Sequence, residues 1–264
     1  RPEIYSYGVW FEFDTSLYCD DTTALAWDRA TLEVVLRGLM EHFEAFGLML
    51  HRGSPGEKSK TVAMAFLKKK SDYGNLETLD GMDLSPIVID PVANTFIPFV
   101  EKTKVLGPIF TRDLDDEVDM RARIKLANGV FGRFSKRVFC SSKFSKATKR
   151  MLYQSLVMYT ALFGCESWAV TKEMERILQS MQNMHVRRML GVSLYLQISR
   201  RISARKQRNM MGAKSILFYM EYLQLSWLGH VRRMDYTDLP RRFLTAWLPY
   251  KRGVGRPISD FGTT

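Results

Sequence analysis

The chain has 264 residues, 46% hydrophobic and 25% charged, with 17 Gly and 9 Pro, a balance that excludes collagen-like, mucin-like and wholly disordered classes and suffices for one large or two small domains. Lys and Arg number 39 against 28 Asp and Glu, a formal charge of +11 that favours a polyanionic partner. Cys19, Cys140 and Cys165 are too few and too scattered for a disulfide framework or a four-cysteine zinc site, which fits a reducing compartment, and no segment reaches the roughly 18 uninterrupted apolar residues of a membrane span.

The N-terminus has neither the basic flank and apolar run of a signal peptide nor an initiator Met, and it opens on a strand-like pattern, so the chain reads as a piece of a longer polypeptide. Val9, Phe11 and Phe13 alternate with Trp10, Glu12 and Asp14, and residues 9–25 read as two strands joined by the acidic turn Asp20 Asp21. Asp28 can cap a helix whose Leu32, Val35, Leu36, Leu39, Met40, Phe43 and Phe46 share one face and which stops at Gly47. Residues 48–50 and 61–67 read as strands across a loop broken by Gly and Pro. A short strand at 87–89 and a hairpin through 105–110 complete a small sheet.

After Asp115 the spacing turns helical. Met120, Ile124, Ala127, Phe131, Phe134 and Val138 recur at helical intervals, as do Leu152, Leu156, Tyr159 and Phe163 after a cap at Ser145. Met174, Ile177, Leu178, Met181 and Met184 follow Thr171 with Gly191 as the stop, and Ile216, Met220, Leu223 and Trp227 form a last stripe. All these stripes are assigned to core, and the residues past Pro249 read as a basic, mobile tail.

Several motifs carry a more specific signal. Tyr18 Cys19 Asp20 Asp21 resembles the YxDD box of reverse transcriptases. Gly47 Leu48 followed by Ser59 Lys60 Thr61 resembles their fourth polymerase motif, with Lys58 the other candidate for the motif lysine. Val105 Leu106 Gly107 Pro108 Ile109 resembles the primer-grip turn. Phe163 Gly164 Cys165 Glu166 Ser167 Trp168, then Arg187 Arg188 Met189 Leu190 Gly191, then Trp227 to Met234, and finally Gly255 Arg256 Pro257, resemble the post-palm region of LINE-type (non-LTR retrotransposon) elements. The resemblance spans nearly the whole chain in the family's order. It implies an α+β fold: a partial palm over 1–112, in which a small antiparallel sheet packs with a helix, a helical thumb over 113–192, a helical C-terminal extension over 193–249 and a basic tail over 250–264.

The same resemblance implies an RNA-directed DNA polymerase, with Asp20 and Asp21 as metal ligands for Mg²⁺ or Mn²⁺, Lys60 assisting the departing pyrophosphate, and Leu106 and Gly107 bringing backbone close to the primer terminus. Carboxylates on a hairpin turn suit two-ion nucleotidyl transfer because Mg²⁺ takes hard oxygen ligands. The bland alternative is a solvated Asx turn. With 17 residues before Tyr18, the fingers and the earlier aspartate-bearing palm strand are missing, so the chain alone is expected to be inactive, its two-ion site incomplete. RNA template, DNA primer and dNTP are the implied partners, with the rest of the parent polypeptide, and the nucleus the implied location. Lys136, Arg137, Arg187, Arg188, Arg232 and Arg233 head a set of paired bases, with Arg121, Arg123, Arg200 and Arg201, that could neutralise phosphates, although charge runs are more often solvated faces. The rival function is a non-catalytic, basic nucleic-acid-binding remnant of a retroelement. Cys165 reads as a buried thiol rather than a nucleophile, because no sequence cue supplies it with a base, and no histidine has metal-ligand spacing.

Overall fold

The computed structural model describes residues 3–6, 9–12, 15–18, 21–26, 28–52, 59–66, 78–79, 82–90 and 95–246. The chain divides into two compact units, one built from 1–106, 111–114 and 230–264, the other from 107–110 and 115–229. The second unit takes in the stretch expected as thumb and part of that expected as C-terminal extension. The expected tail over 250–264 lies outside the described residues.

In the first unit, β1 (Glu3–Ser6) pairs antiparallel with β2 (Val9–Glu12), and β3 (Thr15–Tyr18) pairs with β4 (Asp21–Ala24) from Thr15 opposite Ala24 to Tyr18 opposite Asp21. Residues 9–25 therefore hold three strands rather than the expected two. Short-range pairing closes the smallest loops, and that is the least costly arrangement in chain entropy. α1 (Arg29–Ala45) matches the expected helix: Asp28 accepts the Thr31 N–H at 2.7 Å, and Gly47 closes it at φ +71°. Phe46, expected on its buried face, is exposed.

β5 (Thr78–Leu79) pairs with β6 (Met82–Asp83), β7 (Ile87–Asp90) with β8 (Thr95–Ile97), and β9 (Lys102–Lys104) with β10 (Ile109–Thr111). Each ladder is two-stranded, so the single small sheet expected for the palm is absent among the described residues. The strands expected at 48–50 and 61–67 are irregular backbone where described, apart from one parallel bridge between Ala63 and Phe99. Leu36, Ala63, Ile87 and Ile97 form this unit's small core, with Leu32, Ile89 and Phe99 against it. Arg29 ties the start of α1 to the loop after β6, donating to the carbonyls of Asp83 at 2.8 Å and Ser85 at 2.7 Å.

The second unit is helical. α2 (Asp116–Phe134) starts at Asp115, whose carboxylate accepts the Glu117 N–H, and continues as a π-helical turn, Ser135–Phe139. α3 (Lys146–Leu152) starts at Ser145, which accepts the Thr148 N–H, widens into a π-helical stretch, Tyr153–Met158, and ends as α4 (Tyr159–Ala161). The wider turn takes up more residues per turn and rotates the buried face. Tyr153, Val157, Met158, Ala161 and Leu162 are buried, while Leu156, Tyr159 and Phe163, expected in the core, are exposed.

α5 (Lys172–Met189), capped by Thr171, buries Met174, Leu178 and Met181 as expected but exposes Met184, whose neighbour His185 turns inward. α6 (Leu194–Ser199), α7 (Ala204–Met211) and α8 (Ile216–Arg233) follow, and α9 (Leu239–Leu244) belongs to the first unit. In α8 Ile216 and Met220 are buried, but Trp227 is exposed, against the expected stripe. Gln182 links α5 to the start of α8: its Nε2 donates to the Lys214 carbonyl at 2.8 Å and its Oε1 accepts the Ile216 N–H at 2.9 Å.

His185 is the buried titratable centre of this core. Its ring stacks on Phe131 at 4.0 Å, Phe131 stacks on Phe139 at 4.9 Å, and the Tyr153 hydroxyl lies 3.1 Å from Nδ1. Burial, and secondarily the Arg188 charge, hold the imidazole pKa down at about 4 from 6.5. Folding thus keeps His185 neutral, the unfolded chain binds the extra proton, and stability falls as pH drops from 6.5 toward 4. The loss from this group is about 3 kcal/mol. Urea unfolding at pH 7 and pH 4.5 is expected to show it, with a shallower dependence over that window in His185→Leu.

Candidate functional site

The ladder of β3 and β4 ends at Tyr18 opposite Asp21, so Asp21 stands at the end of a hairpin, where a carboxylate remains open to solvent and to ions. Asp20 lies outside the described residues. Among the described residues no three His, Cys, Asp or Glu side chains gather as a metal-binding group. Lys60 sits in a turn folded around His51: its N–H faces His51 Nδ1 at 3.3 Å, and Ser59 Oγ donates to the carbonyls of His51 and Thr61. The Lys60 side chain is exposed, and Lys58 lies outside the described residues.

The turn between β9 and β10 holds Leu106 at φ +52° and Gly107 at φ +106°. A side chain at 107 would meet Phe163 Cε1 at 3.2 Å, so only glycine combines this backbone with this contact. Gly164, also at positive φ, faces Pro108 in the same way, with Cγ 3.1 Å from where a Cβ would stand. The turn is thereby seated against the Phe163 to Trp168 segment.

Asp119 fixes that seat. It is 2% exposed and projects from the first turns of α2. Its Oδ1 accepts the Ile109 N–H at 2.9 Å, its Oδ2 accepts Trp168 Nε1–H at 3.2 Å, and Arg123 Nε stands 3.4 Å from Oδ1. Arg123 also lies over the Phe163 ring, 4.5 Å from its centroid. One carboxylate thus joins the primer-grip-like turn, the first helix of the unit and the Phe163 to Trp168 motif. Nearby, Asp116 accepts the Ala169 N–H at 2.8 Å, and Gln224 donates to the Cys165 carbonyl at 2.9 Å, closing the same segment from both sides. Burial raises the Asp116 pKa above the usual carboxylate range.

Asp119 was legible in one respect: positions 116, 119, 123 and 127 share a helical face, so a charged residue stood on the buried stripe. Its partners, distant in sequence, were not. Cys165 is fully buried and its thiol is pushed up to about 12 by burial and the Glu166 charge, so it is held protonated and unreactive.

Of the expected phosphate contacts, Lys136 and Arg137 are exposed on the π turn after α2. Arg188 reaches the same turn: Nη2 donates to Ser135 Oγ at 3.3 Å and the guanidinium lies 5.2 Å from the Phe131 centroid. Arg187 donates to the Val192 carbonyl at 3.4 Å. The structure thus brings Lys136, Arg137 and Arg188 together. Arg232 and Arg233 are exposed at the end of α8 and belong to the other unit. His230 is exposed as well. The charge is unevenly divided: the helical unit holds 20 Lys and Arg against 8 Asp and Glu, whereas the first unit holds 19 against 20. The basic excess of the whole chain resides in the helices. No described helix is long and apolar enough to cross a membrane.

Part of this chain is similar to an uncharacterized transposon-derived protein of Caenorhabditis elegans, at 31% identity over 110 residues that make up 40% of this chain and 38% of that protein. The match thus covers about two fifths of the relative's length. No protein family's profile matches the chain. No solved structure matches it either.

Removing the Asp119 carboxylate leaves two buried donors and the Arg123 charge without an acceptor. Asp119→Ala is expected to cost about 3 to 5 kcal/mol in chemical unfolding, and Asp119→Asn less. Gly107→Ala, with a strained φ and the Phe163 contact, is expected to cost about 1 to 3 kcal/mol. Variants as stable as the wild type would contradict the link.

Proposed function

We propose that this chain is the late-palm, thumb and post-thumb part of a LINE-type RNA-directed DNA polymerase, which works on a primed RNA template with dNTP and, as an element that inserts into chromosomes, in the nucleus. The similarity to a transposon-derived protein supports a mobile-element origin. The observation that carries the finer reading is the Asp119 link, because it packs together two segments singled out separately as polymerase-like, the turn at 106–109 and the stretch 163–168.

Asp20 and Asp21 are hard oxygen donors of the kind Mg²⁺ or Mn²⁺ takes, so the donor chemistry fits, while two carboxylates are too few to hold two ions. A further carboxylate from an earlier palm strand of the parent polypeptide completes the set in this reading. Held by Asp20, Asp21 and that further carboxylate, divalent ions would supply Lewis-acid activation of the primer hydroxyl and charge stabilisation for the leaving pyrophosphate. The chain's own residues do the rest. Asp21, at the end of a short hairpin, presents its carboxylate without a flexible stem. Lys60 offers positive charge, or a proton, where pyrophosphate departs. Gly107, lacking a Cβ, lets the turn seat against Phe163, the backbone of Leu106 and Gly107 meets the primer terminus in this reading, and the basic helices neutralise template and primer phosphates.

A second reading, a non-catalytic nucleic-acid-binding remnant, is favoured by one observation, the confinement of the basic excess to the helical unit. Anisotropy of a labelled RNA template carrying a DNA primer separates the two. The polymerase reading expects Mg²⁺ with the matching dNTP to tighten binding, and the double variant Asp20→Asn, Asp21→Asn to abolish that tightening. Salt-sensitive binding indifferent to Mg²⁺, dNTP and both aspartates would leave the remnant. Primer extension by the chain alone is expected to match the Asp20→Asn control.

A further inference from the structure

Four of the described helices end in the same way. After α1, α5 and α7 the closing residue is Gly47 at φ +71°, Gly191 at φ +67° and Gly212 at φ +66°. In each case the next N–H bonds back across the turn: Leu48 to the Phe43 carbonyl, Val192 to Arg187 and Ala213 to Arg208. α6 closes with the identical pattern, Ile202 N–H to the Gln197 carbonyl at 2.9 Å and Arg201 N–H to Ile198 at 3.1 Å, but its left-handed residue is Arg201, at φ +48°. A side chain in that conformation is strained relative to glycine. The chain uses glycine at three such corners and arginine at the fourth, and since Leu106 and Leu114 also stand at positive φ, it is the surroundings of the arginine side chain that bear on its use.

The rest of the corner indicates what. α6 buries none of its residues; Tyr195 is 78% exposed and Ile198 68%. Arg200, Arg201, Arg205 and Lys206 are exposed, without an ion-pair partner among the described residues. From residue 176 to residue 220 the sequence holds nine Lys and Arg and no Asp or Glu. The segments packed near the corner add no acid: α7 rests on α5, where Arg208 donates to Asn183 Oδ1 at 2.8 Å, and on α3, where Arg150 donates to the Gly212 carbonyl at 3.3 Å. Glu173 and Glu175 lie at the far end of α5, about 20 Å along its axis from Arg188.

An exposed ring on the short helix that leads into uncompensated guanidinium groups is what unpaired nucleotides recognise, the ring by stacking on a base and the cations by neutralising phosphates. A duplex, its bases already stacked, offers the ring nothing. We propose that the α6–α7 corner, with Tyr195, Arg200, Arg201, Arg205 and Lys206, binds single-stranded nucleic acid. This rests on the proposed reading that the chain handles nucleic acid and adds where an unpaired strand is held.

The test measures anisotropy of labelled 12-nucleotide single-stranded RNA, single-stranded DNA and a blunt duplex, together with urea unfolding, for the wild type, Tyr195→Ala, Arg201→Gly and Arg201→Lys. Tyr195→Ala is expected to weaken single-strand binding about tenfold, as loss of one stacked base does, and to leave duplex binding and stability unchanged. Arg201→Gly is expected to be at least as stable as the wild type yet to bind the single strand more weakly, with a salt slope smaller by about one, whereas Arg201→Lys retains the slope. The RNA and DNA arms show which strand is preferred. Unchanged single-strand affinity in Tyr195→Ala and Arg201→Gly, with or without self-association through α6 in sedimentation, would overturn the proposal, as would equal losses for single strand and duplex. Single-strand binding that depends on Tyr195 but is accompanied by no Mg²⁺ and dNTP response would sink the polymerase reading alone. A response that depends on Asp20, beside a silent Tyr195, would sink this proposal alone.

Discussion

A buried carboxylate must be matched by donors or it destabilises the fold that encloses it, and Asp119 is matched from three directions. The Ile109 N–H, the Trp168 indole and the Arg123 guanidinium come from the start of β10, the Phe163 to Trp168 segment and the helix itself. Each is held by something else as well: the turn by the Gly107 and Gly164 contacts, the indole segment by Asp116 and Gln224, Arg123 by the face of Phe163. The carboxylate fixes where the turn at 106–109 stands against the helices, and any function of that turn depends on it. The cost of withdrawing any one partner exceeds a single hydrogen bond, because the others lose their acceptor geometry together.

Charge and conformational strain describe the other half of the unit. A formal +12 on the helical unit beside a nearly neutral first unit is a division of labour that folding does not require, since net charge opposes compaction. The αL arginine after α6 is a local instance of the same thing, a residue whose conformation disfavours the fold and whose chemistry suits a polyanion. At the three other corners of this type the left-handed residue is glycine.

The periodic parts of the fold were legible in the sequence. Asp28, Ser145 and Thr171 cap the helices they precede, and the stripes through Met120, Phe131, Met174 and Leu178 are core. The strand at 87–89 and the hairpin around Gly107 stand where alternation and glycine placed them. What failed had physical causes. A π-helical stretch shifted the face of 153–163, so Leu156, Tyr159 and Phe163 emerged into solvent. α6 escaped notice because it buries nothing and so has no apolar period, and α7 because half of its buried pair is Gln207. Strand partners depend on tertiary pairing rather than local pattern, so two-stranded ladders replaced the expected sheet. At the site, residue types indicated Asp21, Lys60 and Gly107, but the roles of Asp119, legible only as a charge on a buried stripe, and of His185 depend on partners far along the chain.

Hydrogen exchange with and without a primed RNA template, Mg²⁺ and dNTP tests the polymerase assignment most directly, because it reads backbone amides at every segment in one experiment. Slowed exchange is expected at the β3–β4 hairpin ending in Asp21 and at the turn through Gly107, together with the basic helices. Slowing confined to the helices from Arg187 to Lys214, with the hairpin and turn unaffected, would contradict the assignment and leave a nucleic-acid binder without a polymerase site.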